Sequence, residues 1–393
     1  IVAIIDSGMD YNHPDLKENS WINEAEANGK PGVDDDNNGY VDDIHGINAI
    51  AGGVNPLDDN GHGSHCAGTI GGTGNNGLGI VGINWKVKMI GLKFLGADGA
   101  GTLEAAVKAI DYAVKMGARV LSNSWGSYGA SQALQEAIER SNKTGAIFIA
   151  ASGNDGTNND VKPLYPASYP VANVVAVAAN DTNGNIAGFS NWGKKTVHLS
   201  APGVGIHGIW KSGEAKAASG TSMAAPFVSG VAALVLAHEP SLTNFELKER
   251  LLRTVKPLAS VRGLASTGGM VNALYALQNF QAPPDENDPA NWQTIPLAIS
   301  SAHPYLPSTK ETYEVRVPGA KEISIYFKRF ETEFQNDQMR LFDKSGKLLA
   351  TLSGLKAEER FSRIVKGDYV KIEFVSDIET EAYGFEITKA AYR

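Results

Sequence analysis

The chain has 393 residues, of which 42% are apolar and 20% charged; this is enough for more than one domain with a sizeable core and excludes a small stapled scaffold. Its net charge of −8, with basic residues scattered along the chain, gives no electrostatic reason to bind nucleic acid. No uninterrupted apolar run approaches the roughly 18 residues of a membrane span, and the single cysteine, Cys66, permits no intrachain disulfide and leaves the redox compartment open.

The first element is Ile1 to Ile5, a continuous apolar strand ending in Asp6-Ser7-Gly8. No initiator methionine, basic n-region or cleavage pattern precedes it, so a processed or truncated product is expected. Next comes an acidic loop, Asp34 to Asp43, with Asp34, Asp36, Asn38, Tyr40 and Asp42 at alternate positions around Gly39. Hard oxygen ligands at alternate positions around a glycine turn suit Ca²⁺, and without a cation the clustered aspartates repel one another.

A polar run, Asp58-Asp59-Asn60-Gly61, leads into His62-Gly63-Ser64-His65. The two histidines lack the i, i+4 spacing of zinc-hydrolase helices, which argues against a zinc pair. Gly72 to Gly77 formally matches a dinucleotide fingerprint, but the apolar run Leu78 to Ile83 follows it where a helix should, and the match is set aside.

From there apolar strands alternate with helical periodicity: Val87 to Phe94, a helix from Leu103 through Val114 closed by Gly117, Arg119 to Ser124, a helix over 132–142, Ala146 to Ala151, and Val174 to Ala178. This predicts an α/β unit with a parallel sheet and helices on both faces. Ligands of such sheets bind at the carboxyl ends of the strands. Gly220-Thr221-Ser222 then opens a helix running from Met223 to Leu236.

Composition changes near residue 281, before which 38 of the 43 glycines fall. Gln281 to Ala290 holds three prolines and three acids among the ten residues, as a flexible linker should. Beyond it, short period-2 runs at 315–317, 323–327, 339–342, 369–375 and 383–387 predict an antiparallel β-sandwich with its own core. The expected division is 1–280, a linker over 281–295, and 296–393.

Three of the element ends carry an acid, an imidazole and a hydroxyl. A serine hydroxyl becomes a good nucleophile when an imidazole takes its proton, and the imidazole needs a carboxylate to fix its tautomer. Ser222, His62 and Asp6 can fill those roles. Singly, each is also what a helix cap, a loop residue or a turn former looks like.

Together, Asp6-Ser7-Gly8 with His13-Pro14-Asp15-Leu16, Gly61 to Thr69, and Gly220-Thr221-Ser222-Met223-Ala224-Ala225-Pro226 closely resemble the three signature blocks of the subtilisin-like serine proteases, over residues 1 to about 275. The resemblance implies a catalytic triad of Asp6, His62 and Ser222, and an oxyanion-binding Asn154 in the block Ala150 to Gly156. It further implies that Gly99, Ala100 and Gly101, Ser124, Trp125 and Gly126, and Ala151, Ser152 and Gly153 line an extended polypeptide substrate. Cys66 stands after His65 as in proteinase K-like members, which implies packing beneath the histidine rather than chemistry.

The same resemblance implies a second Ca²⁺ site from Asp15, Asn76 and the carbonyls of Gly74, Leu78 and Ile80. The tail more weakly resembles CUB domains, whose calcium-binding acids correspond to Glu333, Asp337 and Asp377. The implied protein is a secreted, calcium-stabilised serine endopeptidase acting on polypeptides, with a propeptide or N-terminal segment outside this chain and no membrane span. The alternative is a narrow-specificity processing or binding module whose sandwich docks to a partner.

Overall fold

The computed structural model describes every residue except 214, 284, 355 and 356. Seven parallel strands, β1 (Val2–Asp6), β2 (Gly46–Asn48), β3 (Met89–Lys93), β4 (Val120–Asn123), β5 (Ile147–Ala151), β6 (Val174–Asn180) and β7 (Leu199–Pro202), stand in the order β7-β6-β5-β4-β1-β3-β2. After β1 the chain builds first on one side and then on the other. Its carboxyl end, at Asp6, is therefore a topological switch point, where such sheets open a crevice for ligands.

Every residue of β1 is buried, because helices cover both sheet faces. Val2 and Ile4 belong to one core and Ala3 and Ile5 to the other, as the two-residue period of a strand requires. After the short α1 (Glu24–Ala27) come α2 (His62–Gly71), α3 (Leu103–Lys115), α4 (Gln132–Lys143), α5 (Thr221–His238), α6 (Asn244–Arg253) and α7 (Ala273–Gln278). Residues of α2, α5, α6 and α7 fill the first core; those of α3 and α4 fill the second.

Helix α5 has a mean hydropathy of 1.5 over 18 residues and by length and composition alone could cross a membrane. Here it packs against α2 and strands β4 to β7, and its apolarity is that of a central core helix. A hairpin of β8 (Ile206–Ile209) and β9 (Ala215–Ala218) precedes it, and β10 (Lys256–Pro257) with β11 (Gly269–Met270) extends the main sheet beyond β7.

The tail folds as two antiparallel sheets. Strands β12 (Gln293–Ser300), β13 (Lys310–Arg316), β14 (Glu322–Glu331), β15 (Gln338–Phe342), β16 (Leu348–Leu352), β17 (Ala357–Phe361), β18 (Val365–Lys366), β19 (Tyr369–Val375) and β20 (Gly384–Tyr392) form the orders β12-β20-β14-β17, with β18 on β14, and β13-β19-β15-β16. Phe327, Phe330, Phe374 and Phe385 fill the space between them.

Two expectations need correction. The sandwich does not keep its core to itself: Ile186, Trp192, Val197, Val261 and Leu264 of the preceding unit belong to the same buried cluster. Nor is 281–295 featureless, since Pro289–Asn291 forms a 3₁₀ turn and buried Asp288 pairs with Arg262. Residue 284, within the expected linker, lies outside the described residues. Proline and acid content signals loop backbone but says nothing about docking.

Candidate active site

Asp6, at the end of β1, is 1% exposed, and its Oδ1 accepts from His62 Nδ1 at 2.7 Å and from the Ser7 amide at 2.7 Å. His62 is the first residue of α2. Asp58, which sequence reasoning passes over, sets that helix start. Its Oδ1 accepts from the Gly61 amide and the Ser7 hydroxyl, both at 2.9 Å, and its Oδ2 from the Ser64 amide at 2.8 Å and hydroxyl at 2.7 Å. The Ser7 hydroxyl in turn accepts from the Gly63 amide at 2.9 Å. An acid four residues ahead of a helix-opening histidine was the available signal, because carboxylates gather at helix N-termini.

Burial lowers the His62 pKa, but the Asp6 charge, its hydrogen bond and the Asp58 charge outweigh it, so the imidazole titrates above its ordinary value. His65, one turn further on, is different. It is fully buried with Nε2 2.9 Å from the Ile206 carbonyl, and burial pulls its pKa down.

Ser222 sits in the first turn of α5, after Gly220 at the N-cap. Pro226, four residues on, has no N–H to give the Ser222 carbonyl. That carbonyl accepts instead from the Ser124 hydroxyl at 2.8 Å and the Cys66 thiol at 3.5 Å, while the Ser222 hydroxyl donates to the Ser124 carbonyl at 2.9 Å. The Cys66 sulfur lies within 4.8 Å of ligand atoms of Asp6 and His62. Burial first, and the Asp6 charge next, push its thiol pKa up, which keeps it protonated and unreactive.

Asn154 Oδ1 accepts from the Thr221 amide at 2.8 Å and hydroxyl at 3.0 Å. A backbone N–H can face only the oxygen, so the amide's orientation is fixed and Nδ2 is left for another acceptor. The point where a Cβ on Gly220 would stand lies 3.5 Å from Asn154 Nδ2 and 3.7 Å from the Ser222 nitrogen. Both N–H groups therefore border space that glycine leaves open. Thr221 is a second residue that sequence reasoning passed over.

The expected substrate segments flank this centre. Gly99 to Gly101 are exposed on a turn closed by a Leu95–Gly101 bridge. Ser124 follows β4, and Trp125 packs edge-on against Phe94 with centroids 4.8 Å apart. Ala151 and Ser152 are buried at the end of β5. A Cβ on Gly126 would come 2.4 Å from Leu164 Cδ2, and one on Gly153 3.3 Å from the same atom. Leu164 thus faces both glycines, a role its sequence context did not signal.

The acidic groups sort differently from expectation. Around the first loop the carboxylates that converge are Glu26, Asp36 and Asp43. Asp34 instead accepts from the Asn38 and Gly39 amides, Asp42 from the Gly32 amide, and the Tyr40 amide donates to Asn38 Oδ1. Asn38 turns its Nδ2 toward Asp36 at 3.0 Å and Asp43 at 2.6 Å. A reading built on alternate positions around a glycine turn looks for ligands inside the loop, whereas Glu26 comes from α1.

Asp15 is fully buried, and its carboxylate accepts from Asn76 Nδ2 at 2.6 Å and the Ile80 amide at 2.9 Å; the Leu78 amide donates to Asn76 Oδ1 and Gly74 lies against Trp85. Glu333, Asp337 and Asp377 do converge. Asp337 is fully buried, Tyr305 donates to it, and Glu333 Oε2 is buried with no hydrogen-bond partner among the described residues. An orphaned carboxylate oxygen in an all-oxygen cluster fits a hard cation.

Comparison with known proteins shows the family of each unit. Residues 1–276 match the subtilase family and residues 296–388 the CUB domain. The chain belongs to the subtilase family. It is 36% identical over 295 residues to subtilisin-like protease 1 of Plasmodium berghei, covering 71% of this chain and 49% of that one. It is 38% identical over 203 residues to the thermostable alkaline protease of Halalkalibacterium halodurans, covering 52% and 54%. The chain thus spans about half the length of these curated relatives. A crystal structure of a cold-adapted subtilisin-like serine proteinase superposes with a TM-score of 0.55 at 30% identity, covering 69% of this chain and 86% of that one.

Proposed function

We propose that the chain is a serine endopeptidase whose triad is Asp6, His62 and Ser222. The Ser222 hydroxyl turns from the Ser124 carbonyl and attacks the scissile carbonyl carbon, and its proton passes to His62 Nε2. Asp6 holds the Nδ1–H and stabilises the imidazolium that forms. The oxyanion develops in the space beside Gly220, between Asn154 Nδ2 and the Ser222 amide. Collapse expels the amine, which takes the proton from His62, and water hydrolyses the acyl-enzyme by the same route. The observation that carries this reading is the convergence of two N–H donors on open space beside a serine that follows an Asp–His pair at a strand switch point.

The substrate is a polypeptide laid along Gly99 to Gly101 on one side and Ser124 to Gly126 on the other, as an added strand. Ala151 to Gly153 form one wall of a side-chain pocket and Leu164 its floor. The peptidase unit runs over 1–280, joined by 281–295 to the sandwich at 296–393. Secretion, and maturation from a propeptide, fit relatives named as subtilisin-like and alkaline proteases.

Calcium is the cofactor of this reading. Glu333, Asp337 and Asp377 would hold one ion and Glu26, Asp36 and Asp43 another, with Asp15, Asn76 and the carbonyls of Gly74, Leu78 and Ile80 as a third set. When bound, the ion supplies charge compensation to buried carboxylates rather than any step at the peptide bond. The direct test is to incubate the full chain and its Ser222→Ala variant with a denatured protein and identify the new termini: cleavage by the first alone supports the reading, and equal cleavage by both removes it.

A further inference from the structure

Between the loop 181–189 and the edge of the sandwich lies a cleft of about 450 Å³ that the proposed chemistry does not use. One wall carries Ile186, Gly188 and Phe189; the other carries Leu352, Phe361 and Arg360. Arg360 is only 7% exposed, and its Nε and Nη1 are buried without a hydrogen-bond partner among the described residues. It has no ion pair among the described residues. Strand pairing sets it there: in β17, Arg360 lies opposite Phe327 of β14, which is fully buried.

A guanidinium is charged at any physiological pH, and an unpaired buried charge is retained at a large desolvation penalty. The penalty shows as a pKa drawn down to about 10 by burial. The acid across the cleft does not relieve it: among the described residues Asp181 makes no ion pair with Arg360, and both its oxygens are turned to its own loop, Oδ1 accepting from the Asn183 and Asn185 amides at 2.8 and 2.9 Å and Oδ2 from Asn185 Nδ2 at 3.2 Å. Neighbouring Arg363 is exposed and spends Nη1 on the Leu349 carbonyl at 2.9 Å.

We propose that this cleft is a binding site for a carboxylate-bearing peptide, with Arg360 as the anchor for its carboxylate. One unpaired buried cation matches a monoanion, whereas a phosphate dianion would leave charge uncompensated between apolar walls. The volume admits a residue or two beyond the carboxylate. That the peptide is a cleavage product rests on the peptidase reading; the anion site itself does not. The far wall reaches the catalytic centre, since the Gly156 amide donates to the Phe189 carbonyl at 2.8 Å, two residues from Asn154.

The test is calorimetry on full-length Ser222→Ala protein, titrated with an N-acetyl dipeptide acid, the same dipeptide as its amide, and inorganic phosphate. The acid should bind one to one and at least tenfold tighter than the amide or phosphate, and Arg360→Met should abolish that preference while raising the melting temperature, because the uncompensated charge is gone. Equal binding of acid and amide, tighter binding of phosphate, or an acid preference that survives in Arg360→Met would overturn the assignment. Should that variant not fold, the comparison of acid, amide and phosphate on the unsubstituted position decides alone. Because binding is read without turnover, a chain that binds the acid but hydrolyses nothing would retain this site and lose the peptidase reading.

Discussion

Thr221 fixes Asn154: its amide and its hydroxyl both donate to Asn154 Oδ1, at 2.8 and 3.0 Å. The residue before the proposed nucleophile thereby aims the side chain proposed to stabilise the oxyanion, so nucleophile and donor are set by one helix start. Replacing Asn154 with leucine should lower kcat by roughly 10²- to 10³-fold with KM little changed, a magnitude known from subtilisin itself rather than drawn from this geometry. Steady-state kinetics check it; a change confined to KM would reduce Asn154 to a pocket wall.

Gly220→Ala tests the same space from the other side. The added methyl would meet no atom closer than 3.5 Å, but Gly220 stands at φ +159° and ψ 163°, a conformation that a residue with a Cβ adopts only under strain, so the melting temperature should fall and kcat is to be read on the folded fraction. The methyl would stand between the two donors, and kcat should fall by roughly the same 10²- to 10³-fold as loss of one donor. Unchanged kcat would mean that the oxyanion forms elsewhere.

The pH dependence follows from the role proposed for His62, which in that role must be neutral to take the Ser222 proton. Although burial lowers its pKa, Asp6 and Asp58 raise it overall above the ordinary 6.5. As pH falls, kcat/KM should therefore drop at a pH above that of a free imidazole, and Asp58→Asn should move the drop downward. The stability linkage has the matching sign: a raised folded-state pKa gives stabilisation that is complete below the unfolded value and disappears as pH rises through the folded one. A pH–rate profile of the two proteins reads the shift directly.

Removing calcium should lower thermal stability more than it lowers activity measured at low temperature. A ligand that binds only the folded state adds about 2.7 kcal/mol at a hundredfold excess over Kd. Scanning calorimetry in calcium and in chelator measures this, and Glu333→Gln should reduce the difference. Identical melting curves in both buffers would take calcium out of the account.

The sandwich braces the catalytic unit. Phe334 lies against Gly188, coming 3.2 Å from where its Cβ would be, and Gly188 adjoins Phe189, the acceptor of the Gly156 amide. Ending the chain near Phe280 would expose Trp192, Val197, Val261 and Leu264, each worth about 1.5 to 3 kcal/mol when buried. The truncated chain should melt well below the full one and lose activity on a short peptide. Full activity with an unchanged melting temperature would restore the picture of two independent modules.

The site was legible where chemistry demands fixed residues in fixed local order. Asp6 ends an apolar strand, His62 and Ser222 open helices, and all three carry signatures that survive without the fold. Supporting groups were not legible. Asp58, Thr221 and Leu164 are ordinary residue types whose roles arise only when β1, α2 and α5 meet, and Glu26 joins Asp36 and Asp43 from a separate helix. The shared core was hidden for a similar reason, because Trp192, Val197 and Leu264 read as residues of any interior. Strand positions followed the two-residue period well, but the edge strand β17 runs Ala-Glu-Glu-Arg-Phe, and its successive charges blur it.

The central claim is that Ser222 is the nucleophile, and covalent labelling tests it most directly. The full chain, treated with a fluorophosphonate at neutral pH and mapped by peptide mass spectrometry, should carry one adduct, on Ser222, that forms in step with loss of hydrolysis. Asp6→Asn should slow its formation by orders of magnitude without moving it. An adduct on another residue, or complete labelling of Ser222 with hydrolysis intact, would contradict the account.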